Sequence, residues 1–228
     1  AQGGVYNNSP AGGSAAAQNV TAGNALFVFA TCKAADVTAT AGCTDTAGNT
    51  YTRVANASVY NATNGHQVIA FYSLNVTGNS ANVVACDFGT GVTNYVSVLV
   101  LQFSGVATTN ALDAAVKTSF GSGSAATSIT SPSYSTTDAD EVAVAAVRII
   151  SNGETFTAGT GFTKPANGQD TNGVSAVEYQ IYSSVQSNVT ASMSWVAAFA
   201  AGVGVMTFKA AGTTGGTHPS WNWGGGGW

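Results

Sequence analysis

Tyr95 to Val106 reads YVSVLVLQFSGV, and this stretch decides the fold class. Val98, Val100 and Gln102 fall on one phase of a two-residue repeat; Ser97, Leu99, Leu101 and Phe103 fall on the other. Six of the twelve residues are β-branched or aromatic, side chains that fit a pleated surface better than a helix. Both phases are largely apolar, so the strand is expected at the centre of a sheet, hydrogen-bonded to a neighbour on either side.

Outward from it the same signal recurs. Ala25 to Thr31, ALFVFAT, reads as a buried strand, and Val37 to Cys43 as a looser one. Thr44 to Thr52 is a turn into a further strand, with Asp45, Gly48 and Asn49 as turn residues. Val54–Thr63 and His66–Leu74 flank Asn64-Gly65, the strongest short hairpin signal. Strands are expected at Asn82–Phe88, Thr127–Ser131, Glu141–Ile150, Ser175–Ser183, Val189–Val196 and Val203–Lys209. No stretch keeps a helical period over three turns. About a dozen short strands at this spacing predict an all-β, two-sheet antiparallel β-sandwich of jelly-roll type with extended N- and C-terminal arms. The divisions are residues 1–24, an arm rich in Gly, Ala, Ser and Asn that could form a strand at either end but is expected on composition to be disordered in an isolated monomer; 25–209, the sandwich; and 210–228, a Gly/Trp-rich tail.

Composition narrows the function. Of 228 residues only 7% are charged, against roughly a quarter in an ordinary domain, while 45% are hydrophobic. The polar surface must then be Ser, Thr, Asn and Gly, which gives little electrostatic protection against self-association. A net charge of −4 with six Lys plus Arg argues against nucleic acid as a partner. No apolar run approaches the roughly 18 residues of a membrane helix. The chain starts at Ala1 without Met, as a chain does after signal removal. Cys32, Cys43 and Cys86 suggest one disulfide and a spare thiol in an oxidising compartment. Cys43 with Cys86 is the first pairing expected and Cys32 with Cys43 the second.

Gly23 to Lys209 resembles a widespread β-sandwich module of secreted bacterial proteins. The resemblance is carried by Gly23-Asn24, a D-x-A-G-N-T-Y turn at Asp45 to Tyr51, and Ser104 to Val106 followed by Leu112-Asp113. Gly161-Phe162-Thr163 and a closing Thr207-Phe208-Lys209 complete it. It implies a secreted, concanavalin-like sandwich and brings no catalytic residues.

His66 and His218 read as ordinary surface histidines, since no G-x-S-x-G elbow surrounds any serine. Glu141, Glu154, Glu178 and the aspartates could supply a glycosidase pair only if folding brought two of them together. No cofactor is expected, and calcium is the one left open, through Asp138, Asp140 and Glu141 or through Asp45 with Asn49. Six Asn-x-Ser/Thr sequons, at Asn7, Asn19, Asn56, Asn61, Asn75 and Asn188, are near the number chance gives, so glycosylation stays open. The tail ends THPSWNWGGGGW, with Trp221 and Trp223 on one face of an extended segment and Trp228 last. These three are the candidate subunit-docking residues. The expected function is not enzymatic: a structural subunit of an extracellular fibre or surface assembly, with copies of itself as partners. The alternative is a secreted carbohydrate-binding module with a polysaccharide as partner.

Overall fold

A computed structural model describes residues 12–89, 94–121 and 124–212. In chain order the strands are β1 (Gly12–Ser14), β2 (Gln18–Val20), β3 (Ala25–Lys33), β4 (Gly42–Asp45), β5 (Thr52–Arg53), β6 (Val59–Asn61), β7 (His66–Ser73), β8 (Asn79–Asn82) and β9 (Val84–Asp87). They continue as β10 (Asn94–Phe103), β11 (Leu112–Phe120), β12 (Ala126–Thr130), β13 (Asp140–Ile149), β14 (Thr157–Ala158), β15 (Ser175–Ser183), β16 (Ser192–Phe199) and β17 (Ala201–Lys209). A 3₁₀ turn, Ala55–Ala57, interrupts them between β5 and β6. The chain is all-β and antiparallel throughout these pairings, as the alternation predicts.

Two large sheets face each other. One runs β10-β3-β7-β5 with β6 also on β7; the other runs β11-β17-β13-β15. Phe27, Phe29, Leu99 and Leu101 of the first meet Val142, Val144, Met206 and Phe208 of the second. Phe27 stacks on Phe208 with ring centroids 4.3 Å apart. Smaller sheets cover the outer faces. The three-stranded β1-β9-β4 and the pair β2-β8 lie over Leu26, Val28, Val98 and Val100. The three-stranded β12-β16-β14 lies over Ala143, Ala145, Val203 and Val205. The central sandwich therefore sits between two outer layers, and a strand buried on both faces is apolar at nearly every position. That is why β3 reads ALFVFATC and β13 reads VAVAAV.

This corrects the reading of Tyr95–Val106. Among the described strands β10 pairs only with β3, so it is a sheet edge and β3 is the inner strand. Its two apolar phases report cover above and below, not partners at either side. Residues 12–20 of the N-terminal arm also differ from expectation: they are ordered on their own chain, with β1 on β9 and β2 on β8.

The Asn64-Gly65 hairpin is present, with Asn61 opposite His66 and Gly65 at φ +73°. Its first arm is shorter than the alternation suggests. The Ser58 hydroxyl donates to Val54 O (2.8 Å) and accepts the Ala70 N–H (3.0 Å), and this local bridge favours the 3₁₀ turn over a continuous strand. The turn lies across β17 at Gly204, where a Cβ would stand 2.0 Å from Ala57 O. Gly204→Ala must push the two backbones apart. It is expected to lower stability by about 1–3 kcal/mol, read as a shifted denaturation midpoint at unchanged slope. Unaltered stability would show that the turn does not bear on β17.

Candidate functional site

The outer sheet β1-β9-β4 is the candidate site. Antiparallel pairing of β4 with β9 sets Cys43 directly opposite Cys86, Cα to Cα 4.0 Å, and the two are joined as a disulfide. Cys32 is the free cysteine, buried on β3 with its thiol pushed up to about 12 by burial, which makes it unreactive. On the other edge of β9, β1 aligns Gly12 with Asp87, Gly13 with Cys86 and Ser14 with Ala85. A Cβ on Gly12 would stand 2.4 Å from Cys86 O, and one on Gly13 would stand 2.4 Å from Val96 Cγ1. The slot beside β9 thus accepts a strand only where two glycines sit. Gly12, Ser14, Gly42, Thr44, Ala85 and Asp87 line an open cleft of about 680 Å³ on this sheet. Among the described residues its lining is small, uncharged apart from Asp87, and without an aromatic ring.

The histidine reading needs correction. His66 is buried, 8% exposed, and its Nδ1 accepts a hydrogen bond from Arg148 Nε at 2.9 Å. Burial, then the charges of Arg148 and Lys33, lower His66 to about 3. A neutral imidazole whose lone pair faces a guanidinium is not placed to act as a general base. Arg148 also donates to Thr31 Oγ1 (2.8 Å) and Ser175 Oγ (3.4 Å), tying β13 to β3 and β15. Nothing in the sequence marks Arg148 as buried, because its partners come from strands far away along the chain.

The three glutamates have separate sets of partners. Glu154 Oε2 accepts the N–H groups of Val196 (2.8 Å) and Ala197 (3.3 Å). Glu178 Oε2 accepts the Gly159 N–H at 2.9 Å, and burial pushes this carboxyl up to about 7. Glu141 lies beside Asp113, and burial, reinforced by that carboxylate, pushes it up to about 7.

At one calcium candidate the carboxylate is taken up by hydrogen bonds. Asp45 accepts from Asn49 N, Asn49 Nδ2, Tyr51 OH and Asn82 Nδ2 at 2.8–3.0 Å. Burial alone would raise Asp45, but these donors hold it below the usual carboxylate range. The D-x-A-G-N-T-Y turn is therefore a polar knot that fastens β4 to β8. At the other candidate, Asp138, Asp140 and Glu141, Lys209 Nζ stands 2.7 Å from Asp138. Among the described residues no three His, Cys, Asp or Glu side chains converge as metal ligands, and no helix is long and apolar enough to cross a membrane.

Comparison with known proteins finds no matching family model, curated protein or solved structure. The likeness to the secreted sandwich module rests on the motif residues that carry it. Of the sequons, Asn61 is buried, while Asn19, Asn56, Asn75 and Asn188 are exposed. Asn7, His218, Trp221, Trp223 and Trp228 lie outside the described residues.

Proposed function

We propose that the protein is a structural subunit of an extracellular assembly, its copies joined by docking of terminal segments. One observation carries the reading: the N-terminal segment serves as a supplied strand. β1 completes the disulfide sheet, β2 pairs with β8, and Ala15 and Val20 of the same segment are buried in the core. A fold that takes a terminal segment into a glycine-matched slot makes the same contacts when that segment belongs to a neighbour, and head-to-tail exchange of this kind propagates. Low charge supports the reading, since it leaves little repulsion between copies. The disulfide fits an oxidising, extracellular setting. Trp221, Trp223 and Trp228 are the proposed anchors at the other end, each contributing on the order of 2–3 kcal/mol if buried. The carbohydrate-binding alternative draws no support from the described lining of the cleft, where no ring offers a sugar a face to stack on.

Negative-stain microscopy and sedimentation of the full chain, beside a chain lacking Ser220–Trp228, test the proposal. Regular polymers of the full chain and cooperatively folding monomers of the truncated one are expected. A full chain that stays monodisperse when concentrated, and is retarded on a polysaccharide gel, would reverse it in favour of sugar binding. Polymers that survive the truncation would move the connector to the N-terminal segment.

A further inference from the structure

Three neighbouring strands, β11, β17 and β13, bring Asp113, Lys209 and Glu141 to one point. Glu141 and Lys209 are paired directly across β13 and β17. Asp113 enters from the other side, where the register of β11 shifts between Leu112 and Ala115. Lys209 Nζ is 3.3 Å from Asp113 Oδ1, and the Asp113 side chain is only 7% exposed. Glu141 is fully buried, and its Oε1 accepts the N–H groups of Thr137 (3.2 Å) and Asp138 (3.0 Å). The group beside it is the Asp113 carboxylate, and two carboxyl oxygens in contact require a shared proton.

We propose that this cluster is an autocatalytic modification site in which Lys209 Nζ and Asp113 Cγ condense to an intramolecular isopeptide bond. The reactants are an ammonium and a carboxylate, and the products are an amide and one water. Asp138 first pushes Lys209 up towards its charged form, with Asp113 adding to this, so a base at Nζ is required. Asp138 Oδ2 lies 2.7 Å from Nζ, and its side chain is 56% exposed, open to proton exchange with solvent. It takes one ammonium proton, and the free amine lone pair attacks Cγ. The Thr137 N–H, donating to Asp113 Oδ2 at 2.7 Å, is placed to hold the charge that develops on that oxygen. The proton shared between Glu141 and Asp113 goes to the departing oxygen. The second Nζ proton returns to Glu141 as the C–N bond completes, and the proton held by Asp138 completes the water. Net charge is unchanged, both acids are restored and no other reactant is needed. Holding the groups in contact replaces a bimolecular encounter, which is worth roughly 10⁵–10⁸ M in effective concentration. The product welds the end of β17, where residues 210–228 begin, to β11.

Intact-mass spectrometry of the purified full chain tests this without reference to assembly. The expected mass falls short of the sequence mass by one water, in addition to the two hydrogens of the disulfide. Peptide mapping is expected to recover the Asp113 peptide joined to the Lys209 peptide. Lys209→Arg and Asp113→Ala should each restore the water, and Glu141→Gln should leave a mixture of linked and unlinked chains. A wild-type mass lacking only the disulfide hydrogens overturns the proposal, as does a water loss that persists in Lys209→Arg. The wild-type mass decides even if a variant fails to fold.

Discussion

Arg148→Ala is expected to lower unfolding free energy by about 2–5 kcal/mol, the usual effect of truncating a large buried side chain, with the hydrogen bonds lost by its neutral partners included. Arg148 is 1% exposed and reaches His66, Thr31 and Ser175 from a strand that is otherwise apolar from Val142 to Ile149. Those contacts join the two large sheets, since Thr31 and His66 belong to one and Arg148 and Ser175 to the other. Alanine leaves a cavity and strips His66 Nδ1 of its donor. Thr31 and Ser175 fare better, being within 2.9 Å of each other and able to hydrogen-bond. Arg148→Met fills the space without a charge to desolvate, so it should cost less than alanine. Urea unfolding of both variants checks this. A loss below about 1 kcal/mol for alanine would show that the network adds little beyond packing.

The contrast between Arg148 and the apolar strands marks what the sequence could say. Alternation, Asn64-Gly65 and the cysteine positions are local signals, and the strands, the hairpin and the Cys43–Cys86 bridge follow them. Layering is not local. An uninterrupted apolar strand looks the same whether its partners lie beside it or above it, so β10 reads as central although it is an edge. β11 escapes the pattern altogether. It is a half-covered edge strand whose Asp113 and Lys117 break the alternation, and Lys117 is held by the Ala55 and Ser58 carbonyls at 2.7 and 2.6 Å. The same strand brings Asp113 to Lys209, so the cluster on β11, β17 and β13 could not be assembled from spacing. The Asp45 to Tyr51 turn was visible as a motif, while its reason, four donors on one carboxylate, needs Asn82 from a distant strand.

Stability is expected to peak near pH 4.5 rather than at neutrality. Glu141 and Glu178 are each raised from 4.5 to about 7 by burial, and His66 is lowered from 6.5 to about 3, also first by burial. A carboxyl raised in the folded state binds its proton more tightly there than in the unfolded chain. Its contribution is complete below its unfolded value and is lost as pH climbs through the folded one. A histidine lowered in the folded state does the reverse: the unfolded chain takes up the proton first, so stability falls as pH drops from 6.5 towards 3. Between 7 and 6.5 only the glutamates act, and acidification stabilises. Between 6.5 and 4.5 two glutamates work against one histidine, and the net sign is unchanged. Below 4.5 the glutamates are protonated in both states and His66 alone remains, so stability declines. Asp45, held low by its hydrogen bonds, adds to that decline. Each tenfold difference in proton affinity between the folded and unfolded chain is worth about 1.4 kcal/mol. Reduced for relaxation of the protein around the ionised carboxyls, the gain from pH 7.5 to 4.5 is about 2 kcal/mol. That corresponds to a rise in Tm of roughly 4–8 °C for a domain of this size. Glu178→Gln should raise stability at pH 7.5 and remove about half of the difference. Thermal unfolding across pH 3–8 reads all of this, and a protein more stable at 7.5 than at 4.5 would show that its buried glutamates are ionised.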